Sequence, residues 1–317
     1  MDLVFFDIEC ASVTKTLAKI CAFGYVLCDE DFNIKVKEDI LIDPKGAFRL
    51  TDRKGEKGLI LPYDLDEFKG KPTFFEVYPK IKKILEDKNN AVLGHATMND
   101  VRYLNLETKR YNLPSFDFEF SDSQIIFMSL KNDFSHQYGL EHIANELGVN
   151  FTPHRAADDA YATMRIVEAM CSAQNCNYFR LAEDLKIKNG AIRNYNIFKP
   201  VSRAMISHNK IVKQEAYDKN RKRTEFCKYV FDKRCIRNGK FKGLTFNFSK
   251  KIEENLTLSK RLIDVIYANG GVYSHHVTHC NYYICDEDDA SQRTRFAATV
   301  KGLLKITPQE LEEAINV

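Results

Sequence analysis

Leu3-Val4-Phe5-Phe6-Asp7-Ile8-Glu9 is an apolar run that ends in two carboxylates separated by one residue. Side chains on a β-strand alternate faces, so Asp7 and Glu9 point the same way. Like charges on one face repel unless a cation lies between them, and oxygen ligands suit a hard divalent ion, Mg²⁺ or Mn²⁺. The alternative is a strand end turning out into solvent. The rest of the sequence has to decide between the two.

Working outward, Ile20 to Cys28 reads as a second strand, Asp29 to Asn33 as a hairpin turn and Ile34 to Ile42 as a third strand, an antiparallel meander. Pro44 to Lys71 is rich in Gly, Lys and Asp, an irregular excursion. Pro72 to Tyr78 leads into a helix whose stripe is Val77, Ile81, Ile84 and Leu85. Ala91 to His95 is a short buried strand, followed by a helix that carries Asp100, Val101, Tyr103 and Leu104. Further helices are expected over Ser123 to Leu130, Gly139 to Gly148 and Asp158 to Cys171. Strands first, then strands interleaved with helices, predict an α/β fold with a mixed sheet.

The chain has 317 residues, which suggests about two domains. A first domain is expected over 1–175, a basic, partly helical linker over 176–240 and a small domain over 241–317. The last is read as strand (Leu244 to Phe248), helix (Leu258 to Ala268), a Gly270-Gly271 turn, strands (Val272 to Val277, Cys280 to Cys285) and a helix (Ser291 to Leu304). Its cluster His275, His276 and His279 would alternate faces on a strand, which argues against zinc. The nine cysteines form no C-x-x-C pair, so reduced, buried thiols are expected. With no long apolar run and no basic leader, the expectation is a cytoplasmic protein with no membrane partner. Net charge is +3, yet Lys186 to Lys242 holds 17 Lys and Arg against four acids, +13, which leaves −10 elsewhere. Such segregation suits an acidic working surface with its hold on a polyanion in another place, or a solvated linker.

Two further stretches place an acid five residues after a histidine. His95 and Asp100 flank a strand-to-helix transition, and His154 and Asp159 flank the start of a helix. On one continuous helix residues five apart lie about 140° from each other. His154 and Asp159 therefore share a site only if the histidine sits in the loop before the helix. Asp158 reads as a helix N-terminal charge.

Asp-x-Glu, then His-x4-Asp after a strand, then His-x4-Asp opening a helix is similar to the DEDDh family of DnaQ-like 3′–5′ exonucleases, which includes the epsilon subunit of bacterial DNA polymerase III. Tyr138-Gly139-Leu140-Glu141-His142-Ile143-Ala144 also resembles that family's helix before its last motif. The likeness covers about residues 1–172. It implies an RNase H-like mixed sheet flanked by helices and two-metal phosphodiester hydrolysis. It assigns Asp7, Glu9, Asp100 and Asp159 to two divalent cations, Mg²⁺ or Mn²⁺, and His154 to general base. His95 matches a position outside these five, structural in the first instance or else in contact with the nucleic acid. This chain has Ile8 and Cys10-Ala11-Ser12 where the family usually has Thr and Thr-Thr-Gly, so Ile8 and Cys10 would stand at the terminal nucleotide.

Residues 241–317 resemble a BRCT domain through Leu244 to Ser249, Leu262 to Ile266 before Gly270-Gly271, and Val277 to Cys285, although the tryptophan common in that family is missing. The likeness implies that Ser249 and Lys301 would contact a phosphate, or else are ordinary surface residues. Together these readings predict a metal-dependent exonuclease acting on 3′ ends of single-stranded or frayed DNA, in proofreading or repair. The partner expected beside the nucleic acid is a DNA polymerase or repair protein. The alternatives are a non-catalytic module that binds nucleic-acid ends or partners, and an exoribonuclease acting on RNA 3′ ends.

Overall fold

The computed structural model describes residues 1–49, 61–151, 153–233 and 238–316. It divides into two compact units, Met1–Asn209 and Lys210–Val317. Part of the expected excursion (50–60), Cys235 and Thr152 lie outside the described residues.

In the first unit the strands β1 (Asp2–Val13), β2 (Ala18–Cys28) and β3 (Ile34–Leu41) form the expected meander. Then come α1 (Phe74–Leu85), β4 (Asn90–Gly94), α2 (Met98–Arg110), β5 (Phe118–Asp122), α3 (Ser123–Lys131), α4 (Leu140–Leu147), α5 (Ala156–Ala173) and α6 (Tyr178–Asp184), and finally β6 (Gly190–Arg193) and β7 (Asn196–Phe198). The sheet order is β3-β2-β1-β4-β5-β6-β7, with β1, β4 and β5 parallel and the outer pairs antiparallel. This is the α/β class with a mixed sheet flanked by helices that the sequence predicts.

The alternation of β1 sorts the two cores. Val4, Phe6, Ile8 and Cys10 face a core shared with α1 and α2, whereas Leu3 and Phe5 face one shared with α3, α4 and α5. Asp7 and Glu9 continue the row of Leu3 and Phe5. The strand does not end at Glu9; it runs on to Val13 after register shifts between Glu9 and Cys10 and between Cys10 and Ser12.

β6 and β7 fall within the stretch expected to be linker, so the first unit continues well past residue 175. Charge density suggested a linker there. The hairpin turns instead on Asn194 and Tyr195, both with positive φ (47° and 61°), a turn without the usual Asn-Gly signature. β5 also escaped the sequence reading, although Phe116, Phe118 and Phe120 alternate and are all buried.

α7 (Arg203–Asp232) begins in the first unit and ends in the second. In the second unit β8 (Thr245–Phe248), α8 (Lys250–Glu254), α9 (Leu256–Ala268), β9 (Val272–Tyr273), β10 (Tyr282–Ile284), α10 (Gln292–Ala297), β11 (Leu304–Ile306) and α11 (Pro308–Asn316) build a parallel sheet, order β11-β10-β8-β9. Two expectations are corrected here. The helix predicted to Leu304 stops at Ala297, because Gly302 takes φ +81° and Leu304 to Ile306 pair with β10. The strand predicted to Val277 stops at Tyr273. Val277–His279 is a 3₁₀ turn, so His276 and His279 do not alternate but lie with ring centroids 5.5 Å apart. Among the described residues no helix is long and apolar enough to cross a membrane.

Candidate active site

The site forms where α5 meets the middle of the sheet. Gly24 on β2 is registered opposite Asp7 of β1, and a Cβ there would stand 2.0 Å from the backbone carbon of Ala156. Only a glycine lets the first turn of α5 settle on the strand. Ala156, Ala157 and Ala160 give the helix a flat, buried face for the same approach. Asp159, one turn further on, thereby reaches the carboxylates of β1.

His154 lies before α5, as the spacing required, in the left-handed region (φ 69°), and is exposed. Its N–H donates to Asp159 Oδ2 at 3.0 Å, tying the loop to the helix. Glu9, His154 and Asp159 each offer a ligand atom within 4.8 Å of the others. Asp7 and these three line one cleft with Ile8, His95, Leu140 and Phe151.

Asp100 comes from the other side of the sheet, buried in the first turn of α2. Its placement depends on Asp122, the last residue of β5, whose carboxylate accepts N–H groups from Ala96 (3.1 Å), Thr97 (3.0 Å) and Gln124 (3.0 Å). One side chain thus fixes the β4–α2 loop and caps α3.

Burial and repulsion between neighbouring acids dominate the electrostatics. Burial raises Asp7 well above the ordinary carboxylate range, and Asp159 and Asp39 raise it further. Burial, then Asp7, Asp159 and Asp39, push Glu9 up to about 9. Asp100 is raised by burial and by Asp7. Asp159 rises to about 7 through burial, against the opposing hydrogen bond from His154. Four acids of this kind, all oxygen donors, fit a hard divalent cation, which would relieve their repulsion.

The remaining expected residues are placed as follows. Ile8 lines the cleft but is 5% exposed and packs into the core, and Cys10 is buried in that core on the same side. His95 is held between Ser123 Oγ (2.9 Å from Nδ1) and the Tyr138 carbonyl (3.0 Å from Nε2). A carbonyl only accepts, so Nε2 carries the proton and Nδ1 accepts from the serine. Burial keeps the ring neutral, lowered to about 4. In the second unit Ser249 is not offered to a phosphate: it is fully buried and its hydroxyl caps α8 by accepting the Ile252 N–H at 3.4 Å. Lys301 is exposed in a turn.

Sequence reading missed Gly24, Asp39, Tyr63 and Asp122. Only Gly24, a glycine inside an apolar strand, carried a local signal.

The cleft on the mixed sheet thus gathers a cluster of carboxylates beside one imidazole. The chain belongs to the Exonuclease family, whose model (RNase_T) matches residues 4–167. No curated protein matches it. Similar solved structures include E. coli Exonuclease I in complex with a dT13 oligonucleotide (19% identity, TM-score 0.47, 58% of this chain and 43% of that one). Others are cell-death related nuclease 4, CRN-4 (16%, 0.44, 54% and 64%), and a full-length 3′-exonuclease (13%, 0.47, 62% and 88%). This chain thus spans less than half of the length of Exonuclease I, 43%.

Proposed function

We propose that the chain is a DEDDh-type 3′–5′ exonuclease that removes nucleotides from the 3′ ends of single-stranded or frayed DNA. The observation that carries this reading is the convergence of Glu9, His154 and Asp159 within 4.8 Å, next to Asp7 and in the field of Asp100. Asp7, Glu9, Asp100 and Asp159 would hold two divalent cations, which when bound supply charge neutralisation at the phosphodiester and activation of water. His154, exposed at the mouth of the cleft, takes the proton from the attacking water. Asp159 also holds the His154 backbone, so one residue serves the cations and the base. His95, with both ring nitrogens engaged, supports the wall of the cleft. The second unit, a small parallel α/β module, suits the BRCT likeness and a role in recruitment to replication or repair partners.

The test is a 5′-labelled oligonucleotide ladder with Mg²⁺, Mn²⁺ or EDTA, run on single-stranded DNA, duplex DNA and RNA. Shortening by single nucleotides from the 3′ end is expected with metal, and Asp7→Ala or Asp159→Ala should abolish it, a loss of at least about 10³-fold. Hydrolysis that persists in either variant or in excess EDTA overturns the reading. Faster cleavage of the matched RNA identifies an exoribonuclease.

A further inference from the structure

Tyr63 lies in the excursion that showed no periodicity, yet the fold carries it to the start of α5. Its hydroxyl donates to Asp39 Oδ2 at 2.8 Å and accepts the Ala156 N–H at 2.9 Å. Arg155 Nε donates to the same Oδ2 at 3.2 Å, and the guanidinium lies over the Tyr63 ring, 4.9 Å from its centroid. Asp39 stands on β3 opposite Gly24, itself opposite Asp7. Beside it Leu61, Tyr63 and Phe68 pack with Ala11, Ala22 and Ala156, and the rings of Phe48 and Tyr63 lie tilted against Phe68.

Two features of this group exceed what an anchor needs. The apolar contacts already hold residues 61–68, yet Asp39 keeps a second oxygen, Oδ1, buried without a hydrogen-bond partner among the described residues, at a desolvation cost that an apolar residue would avoid. His154, next to Arg155, has a positive φ, a conformation that persists only where the surroundings fix it. Arg155 and Ala156 are the two residues that the group grips, and they stand between His154 and Asp159.

We propose that Tyr63, Asp39 and Arg155 form a positioning network that sets the His154–Asp159 junction against β1. It rests on the reading of those two residues as base and metal ligand. None of the three touches the reacting atoms. Tyr63 holds the first helical N–H, Asp39 ties that hydroxyl to β3, and Arg155 locks the peptide that follows His154. A shift of about 1 Å at such a junction can cost roughly 100-fold in rate.

The experiment uses the full chain and the variants Tyr63→Phe, which loses one oxygen and keeps the ring, and Asp39→Asn, which keeps the shape. KM and kcat are measured on 5′-labelled single-stranded DNA, and Mn²⁺ affinity is measured separately by the EPR signal of the free ion. Both variants are expected to lose roughly 10- to 100-fold in kcat with KM within about threefold, and to bind Mn²⁺ several-fold more weakly. A merely structural role would instead lower the fraction of active protein, with the folded remainder retaining wild-type Mn²⁺ affinity; that result, or wild-type kcat in Tyr63→Phe, overturns the inference. Should Asp39→Asn fail to fold, Tyr63→Phe decides alone. Wild-type protein that neither cleaves nor binds Mn²⁺ overturns the exonuclease reading, and this inference with it.

Discussion

Asp7 is a carboxyl group that the folded chain holds protonated well above its ordinary range, because burial and the neighbouring acids penalise the charge. That has a definite sign for stability. Below the unfolded value, about 3.9, the acid is neutral in both states and nothing is lost. As pH rises the unfolded chain ionises freely while the folded chain resists, so the folded state loses stability, with Glu9 extending the window to about 9. Asparagine cannot ionise. Asp7→Asn should therefore match the wild type near pH 4 and exceed it by about 1–3 kcal/mol at pH 8 in EDTA, measured by urea denaturation. His95, lowered to about 4, works in the opposite direction, losing stability as pH falls below about 6.5. It is present in both proteins and drops out of the difference. Mg²⁺ should reverse the order at pH 8 by stabilising the wild type. A difference that stays flat with pH would show that Asp7 does not carry this penalty.

At the scale of elements, the site depends on how closely α5 approaches β2, and Gly24 sets that distance. Gly24→Ala puts a methyl 2.0 Å from the Ala156 backbone, which cannot yield without moving the helix. The expected loss is about 1–3 kcal/mol in thermal or chemical denaturation, accompanied by a fall in cleavage, since Asp159 moves with the helix. Unchanged stability would mean that α5 has room to shift. The same contacts explain what the sequence shows and what it hides. Asp7 and Glu9 were legible because a strand's period of two is local, and His154 and Asp159 because a loop-to-helix junction falls within six residues of chain. The meander and the helices α1, α2, α4 and α5 were legible from their own periodicity. Tyr63 was not: its partners Asp39 and Ala156 lie 24 and 93 residues away, and no nearby pattern marks it. Asp122, 26 residues from the Ala96 N–H it accepts, was hidden for the same reason.

Over the whole molecule, the acids that suit the cleft for cations make it a poor place to hold a polyanion by itself. The +13 balance between Lys186 and Lys242 against −10 for the rest would put that attraction elsewhere, and α7 carries eight of the basic residues, together with all four acids of the segment. Lys210, Lys213, Lys219 and Lys222 are exposed along that helix, where side chains can follow a phosphate backbone. Contacts of this kind release condensed counterions, so binding weakens with salt by about 0.7 logarithmic units per tenfold increase for each phosphate neutralised on a single strand. Replacing the four lysines by glutamine should reduce the slope of log affinity against log salt by about 0.7 for every lysine that touches the strand. The measurement uses a fluorescent single-stranded oligonucleotide in Ca²⁺. In Mg²⁺ the variant's kcat should stay within about twofold of wild type while KM rises, because uniform binding is removed and the cleft is untouched. A slope identical to wild type would show that these four lysines of α7 make no phosphate contact.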